Sequence, residues 1–175
     1  MEYSSQQWML KALHEASYEL QSQLLGLGEE DLRRRPAPGE WSLKEMAAHL
    51  RDAEACFLER LRLIVSQDEP HLPDIDVDAY VLERDYQSLD LHQMLLDLSR
   101  LRQRSASLLW SLEPSDWERE GLHPYRGLLS IMQVARDMNE HDLGHLWQMR
   151  RLRRQIEEEH RAKRRAPGAS EEEGK

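Results

Sequence analysis

The sequence predicts an all-α protein, a four-helix bundle, on three observations. Four stretches place apolar residues at helical spacing. No stretch alternates apolar and polar residues over a useful length, so no sheet is expected. One long segment with two prolines separates the second stretch from the third, which gives the bundle a crossover.

The first helix is expected from about Ser4 to Leu25, with Trp8, Leu13, Ala16, Leu20 and Leu24 on its inner side. The second begins at Ser42 and carries Leu43, Met46, Leu50, Ala53, Phe57, Leu61 and Ile64 at steps of three and four. The third, about Asp90 to Leu112, shows Leu91, Leu95, Leu98, Leu101, Leu108 and Leu112. The fourth runs from Ser130 to about Arg154 and carries Ile131, Val134, Met138, His141, His145, Met149 and Leu152. Two starts are marked by capping boxes, Ser42-x-x-Glu45 and Ser130-x-x-Gln133, in which serine and the Glu or Gln each satisfy an orphan amide. LGEEDLRR (27–34) resembles LEPSDWER (112–119), each leading through a loop to a serine-capped helix, so the chain reads as two helix-loop-helix units.

Residues 67–89 hold Pro70 and Pro73 and are too long for a turn between antiparallel neighbours. A crossover that returns the chain along the bundle makes the second and third helices parallel, which is an up-down-down-up topology. A short helix near Val77 to Glu83 is expected within it. Residues 1–156 form the bundle domain, and 157–175, charged throughout, form a disordered tail.

Composition excludes several functions. The net charge of −9 speaks against nucleic acid as a partner, despite RRLRRQ and HRAKRR near the end. MEYSSQQWMLKALHE has neither the basic start nor the apolar run of a signal peptide. No run reaches the roughly 18 apolar residues of a membrane span, so no membrane is expected. Cys56 is the only cysteine, which excludes an intrachain disulfide and a cysteine-rich zinc module. A cytoplasmic location is expected, with Cys56 as a packing residue.

The candidate chemistry lies in NEHDLGHLWQM, residues 139–149, where His141 and His145 stand four apart. With 8 histidines in 175 residues, chance alone supplies roughly 0.4 of such a pair, so the motif is weak in isolation. Both histidines continue the apolar stripe of the fourth helix, so they are expected to point inward, where an ion or hydrogen bonds must occupy their ring nitrogens. His49, on the core-flanking side of the second helix, lies seven residues past its cap, about 10 Å along the axis. The His141/His145 midpoint lies thirteen residues past its own cap, about 20 Å. In antiparallel helices of about 30 to 36 Å these depths meet at one level. Three imidazoles leave a coordination position open, the pattern of a catalytic site, and suit zinc, nickel, iron or copper.

Alternatives are weaker. His141-Asp142-x-x-His145 departs from the H-E-x-x-H protease helix by the shorter Asp142. His14, His71, His92, His123 and His160 read as surface residues. Asp137, one turn before His141, either orients an imidazole or is solvated. Glu45 belongs to its capping box, and Trp41 and Trp147 read as core or interface anchors.

At these residues the chain resembles a known family. PAPGEWSLKEMAAHLRDAE (36–54), with a histidine seven residues after the serine, resembles the second helix of the DinB/YfiT-like proteins. H-x-x-x-H followed by x-x-Gln is similar to their fourth helix, and the likeness spans about residues 4–155. It implies a four-helix bundle, often a homodimer, with a divalent metal ion (zinc or nickel foremost, then iron) held by His49, His141 and His145. It further implies a metal-dependent enzyme of the thiol S-transferase or hydrolase type acting on a small molecule, possible thiols being bacillithiol, mycothiol or glutathione. A maleylpyruvate isomerase is also a relative. The alternative is a non-catalytic metal-binding or interaction module of the same fold.

Overall fold

The computed structural model describes residues 4–165. Helices α1 (Ser5–Ser22), α3 (Leu43–Ser66), α5 (Leu91–Trp110) and α6 (Ile131–Arg165) form the bundle; α2 (Glu29–Arg33) and α4 (Tyr80–Glu83) are single short turns between them. Both predicted capping boxes are present. Ser42 Oγ accepts from the Glu45 amide at 3.2 Å while Glu45 accepts from the Ser42 amide at 2.8 Å. The Ser130 and Gln133 pair repeats the arrangement at 3.2 and 2.7 Å. A third box, Ser4 with Gln7, starts α1.

Helix directions follow from side-chain pairs. Glu19 and Ser22 of α1 meet Arg150 and Arg153 of α6 in rising order, so these helices are parallel. Leu43 packs in one core cluster with Ile156, and Ile64 in another with Ile131, so α3 and α6 are antiparallel. Leu50 shares a cluster with Leu98, and Leu61 with Leu109, so α3 and α5 are parallel. The topology is up-down-down-up, as the crossover requires.

The crossover is tied down along α3 from end to start. Arg60 donates to the Pro73 carbonyl at 3.1 Å, Arg84 and Tyr86 both donate to Asp52, and Gln87 reaches Ser42 Oγ at 2.8 Å. Val81 and Tyr86 bury against Ala48 and Met94, which covers the outer face of α3. The repeated segments become equivalent structures: α2 buries Leu32, and a 3-10 turn at Pro114–Glu118 buries Trp117 at the matching position.

Four expectations are corrected. A two-stranded antiparallel hairpin, β1 (Glu120–His123) with β2 (Gly127–Ser130), precedes α6 where no strand was expected. Its strands are four residues long, too short for a period of two to register. They are held by tertiary contact: Leu122 exchanges backbone hydrogen bonds with Pro70 and Leu72, and a β-carbon on Gly121 would stand 2.7 Å from Leu72 Cδ2. Second, α6 continues to Arg165, past the 157 boundary expected for a tail. Ile156 is fully buried, Glu159 pairs with Arg34, and His160 lies 3.2 Å from Asp31, so the added turns dock on the α2 segment. Residues 166–175 of the expected tail lie outside the described residues. Third, His123 is buried, not at the surface, and faces Arg60 Nη2 at 3.3 Å. Fourth, Trp8, expected on the inner side of α1, is 55% exposed. Among the described residues no helix is long and apolar enough to cross a membrane.

Candidate metal centre

His49, His141 and His145 converge. One nitrogen of each lies within 4.8 Å of the others, and His49 Nε2 stands 2.8 Å from His141 Nε2. One ion with bonds of about 2.1 Å spans about 3 to 4 Å between its ligands, so small ring movements bring all three into reach. Burial pushes the His141 ring down to about 3, helped by His145, His49 and Arg102, and the His145 ring down to about 4, helped by His49. Burial lowers His49 as well, against the pull of Asp78, the Val77 carbonyl and Asp52. All three rings are therefore neutral near pH 7, each with a lone pair to donate. His145 Nδ1 is buried and without a hydrogen-bond partner among the described residues, an orphan group of the kind a cation would satisfy. The donor set fits a divalent transition ion.

Each ring is held by its own neighbours. The Trp41 indole, directly before the α3 cap, stacks on His145 at 5.8 Å with planes 9° apart. Phe57 sets its ring against His141 at 5.8 Å. His49 Nδ1 lies 3.3 Å from the Val77 carbonyl of the crossover, which makes Nδ1 the protonated nitrogen and leaves Nε2 bare.

Ile131, Val134, Met138, Met149 and Leu152 of the expected α6 stripe are buried, but the two histidine positions between them are displaced from its centre. Met138, Asp142, Leu146 and Met149 occupy its buried centre, while His141 and His145 are partly exposed at the flank. That offset opens the site. Both rings line a cavity of about 500 Å³, bounded by Trp41, Asp78, Trp147, Gln148, Arg151 and Gln155 among others. Trp147 is 64% exposed at its edge, and Arg151 lies over the indole at 5.4 Å.

Asp142, in place of a protease glutamate, does chemistry of another kind. It accepts from Arg102 Nη2 of α5 at 2.7 Å, and the same nitrogen lies 2.8 Å from Glu54 of α3. Ser105 donates to Glu54 at 2.5 Å. All four residues are buried. Burial raises both carboxyls, Asp142 to about 6, against the opposing pull of Arg102. This knot joins three helices directly behind His141. Asp137 is not an orienting residue: its carboxylate pairs with Arg126 of the hairpin loop. Sequence reasoning missed Glu54, Arg102 and Asp78. The first two had a signal, since both interrupt apolar stripes: the buried positions of α5 are Met94, Leu98, Arg102, Ser105 and Leu109, not the leucine series expected. Asp78 had none, because only the folded crossover brings it to the site.

The fold has known counterparts. Residues 12–149 match the model of the DinB superfamily. The chain belongs to the DinB superfamily. Its relatives include the Oceanobacillus iheyensis protein named "Putative metal-dependent hydrolase OB0782", 30% identical over 112 residues, which are 64% of this chain and 64% of that protein. Of solved structures, this DinB-superfamily chain superimposes on YfiT from Bacillus subtilis, described as a probable metal-dependent hydrolase with an unusual four-helix bundle topology, with a TM-score of 0.79 and 20% identity. The match covers 89% of this chain and 90% of YfiT. The mycothiol-dependent maleylpyruvate isomerase shares the fold at a TM-score of 0.66 and 10% identity, over 82% of this chain and 60% of that one.

A pH dependence follows from the depressed rings. The unfolded chain takes up protons at these histidines near pH 6.5, while the folded, metal-free protein refuses them until about pH 3 to 4. More protons are bound unfolded than folded across that window, so metal-free stability falls as pH drops from about 6.5 to 4. Each ring contributes at most about 1.4 kcal/mol per pH unit. Urea unfolding of chelator-treated wild type and His141→Gln from pH 7 to 4.5 checks this. The wild type is expected to lose more stability, and parallel curves would refute the assignment.

Proposed function

We propose that this protein is a divalent-metal-dependent enzyme that brings a small nucleophile, water or a low-molecular-weight thiol, to an electrophilic small molecule. His49, His141 and His145 are its metal ligands. The observation that carries the reading is that three neutral imidazoles from two antiparallel helices line, or sit directly behind, an open cavity and not a sealed core. A cavity of about 500 Å³ suits a small substrate. A divalent cation supplies Lewis acidity at such a place, making a nucleophile available at neutral pH and stabilising developing negative charge.

The chain's own side chains do the rest. Trp41 and the Val77 carbonyl hold two of the rings in orientation, and the Arg102 knot fixes the helix segments that carry them. Trp147 offers an aromatic face to a substrate, and Gln148, Gln155 and Arg151 offer hydrogen-bond donors around it. Names of relatives that specify metal-dependent hydrolysis and thiol-dependent isomerisation support the two nucleophiles in this proposal.

The test begins with metal analysis of protein purified without a nickel column. Small esters, amides and alkylating electrophiles are then incubated with it, alone and with each of several thiols. Expected is turnover that a chelator abolishes and added Zn²⁺ restores, the thiol arm separating transfer from hydrolysis. Tight metal binding with no turnover in any arm would leave a non-catalytic module.

A further inference from the structure

Two adjacent residues of the crossover hold opposite sides of the His49 ring. The Val77 carbonyl takes the Nδ1 proton, and on the far side Asp78 Oδ1 lies 3.6 Å from Nε2. With Nδ1 protonated, Nε2 presents a lone pair, so a carboxylate oxygen facing it is repelled unless a cation or a hydrogen-bond donor lies between them. His141 Nε2 approaches the same point at 2.8 Å. Ligand atoms on one ion with bonds of about 2.1 Å at angles between a right angle and a trigonal one stand about 3 to 3.6 Å apart, which takes in the separation of Nε2 and Oδ1. Asp78 also lines the cavity, and its side chain is 75% exposed, on the open side. Its backbone is fixed there, since the Asp78 and Ala79 amides both donate to Asp76 Oδ1, at 3.1 and 3.2 Å.

Building on the three-histidine reading above, we propose that Asp78 is a fourth protein ligand, donating a carboxylate oxygen to an ion that keeps a fifth position open to the cavity for the nucleophile. Three neutral imidazoles leave the full double charge of the cation uncompensated in a half-buried place; one carboxylate halves it. Because the ligand rides on the crossover and not on a bundle helix, the fourth contact also ties residues 76–79 to the bundle.

The test uses full-length protein stripped with a chelator and titrated with Zn²⁺ against a chromophoric competitor at fixed pH. Asp78→Ala and Asp78→Asn are expected to weaken Zn²⁺ binding by about tenfold or more. Glu40→Gln removes a second carboxylate from the same cavity, one that already lies 3.7 Å from Arg151, and is expected to stay within about twofold of wild type. The visible spectrum of the Co²⁺-loaded protein is expected to change in Asp78→Ala and not in Glu40→Gln. Wild-type affinity in both Asp78 variants overturns the proposal, as does an equal loss in Glu40→Gln, which would reduce the effect to cavity charge. Failure of the three-histidine reading shows separately, as a wild type that binds no Zn²⁺.

Discussion

His145→Ala lowers the metal retained per chain by about tenfold or more, since losing one of three imidazoles costs at least as much as losing a group that merely orients one. The chelator-stripped variant stays folded. His145 is partly exposed and its Nδ1 is already without a partner among the described residues, so the substitution loses chiefly the stacking on Trp41 and a hydrogen bond with the exposed Gln148. Two readouts separate the effects. Elemental analysis of protein purified without a nickel column reports occupancy. Thermal unfolding with and without Zn²⁺ reports linkage, because an ion that binds only the folded state raises its stability. Wild type is expected to gain stability with Zn²⁺ and His145→Ala to gain little. His123→Ala, at a buried histidine outside the site, keeps its metal, since that ring belongs to Arg60 and the hairpin. Unchanged metal in His145→Ala would remove the site.

Arg102→Met destabilises the protein by about 3 to 5 kcal/mol at pH 7, the range for breaking a buried ion pair by removing one partner. The substitution keeps the apolar stem and deletes the guanidinium that serves Glu54 and Asp142 together. Two buried carboxylates then face each other without a cation, and both resist ionisation more strongly than before. A carboxyl whose folded pKa lies above its unfolded value favours folding more as pH falls, so the deficit shrinks between pH 7 and 5. Urea unfolding of both proteins at the two pH values measures it. A loss under about 1 kcal/mol, or one that does not change with pH, would mean that the knot behaves as a solvated surface pair. Since Asp142 is bonded next in chain to His141, metal affinity is expected to fall along with stability.

The four long helices, the parallel pair and the three histidines followed from local information. Helical periodicity, serine caps and the length of residues 67–89 are each properties of the chain's local sequence, independent of which surfaces later meet. The histidine level could be computed because rise per residue is constant along a helix. Which residues fill the middle of the α6 stripe could not. His141 and His145 continue the α6 stripe in sequence, yet Asp142 takes the centre, because Arg102 from α5 makes that buried position favourable for a carboxylate. The inward face of α5 departs from its leucine series for the same reason, being marked by a charged residue and a serine. The hairpin, whose four-residue strands have no persistence of their own, depends on Leu72 and Pro70 of the crossover. The placement of Asp78 depends on α3, through Val77 and His49. The chain alone therefore determined which groups could bind an ion and at what depth. Packing between helices decided whether those groups faced a sealed core or an open cavity, because only a partner surface selects among the rotations that a helix by itself leaves equal in energy.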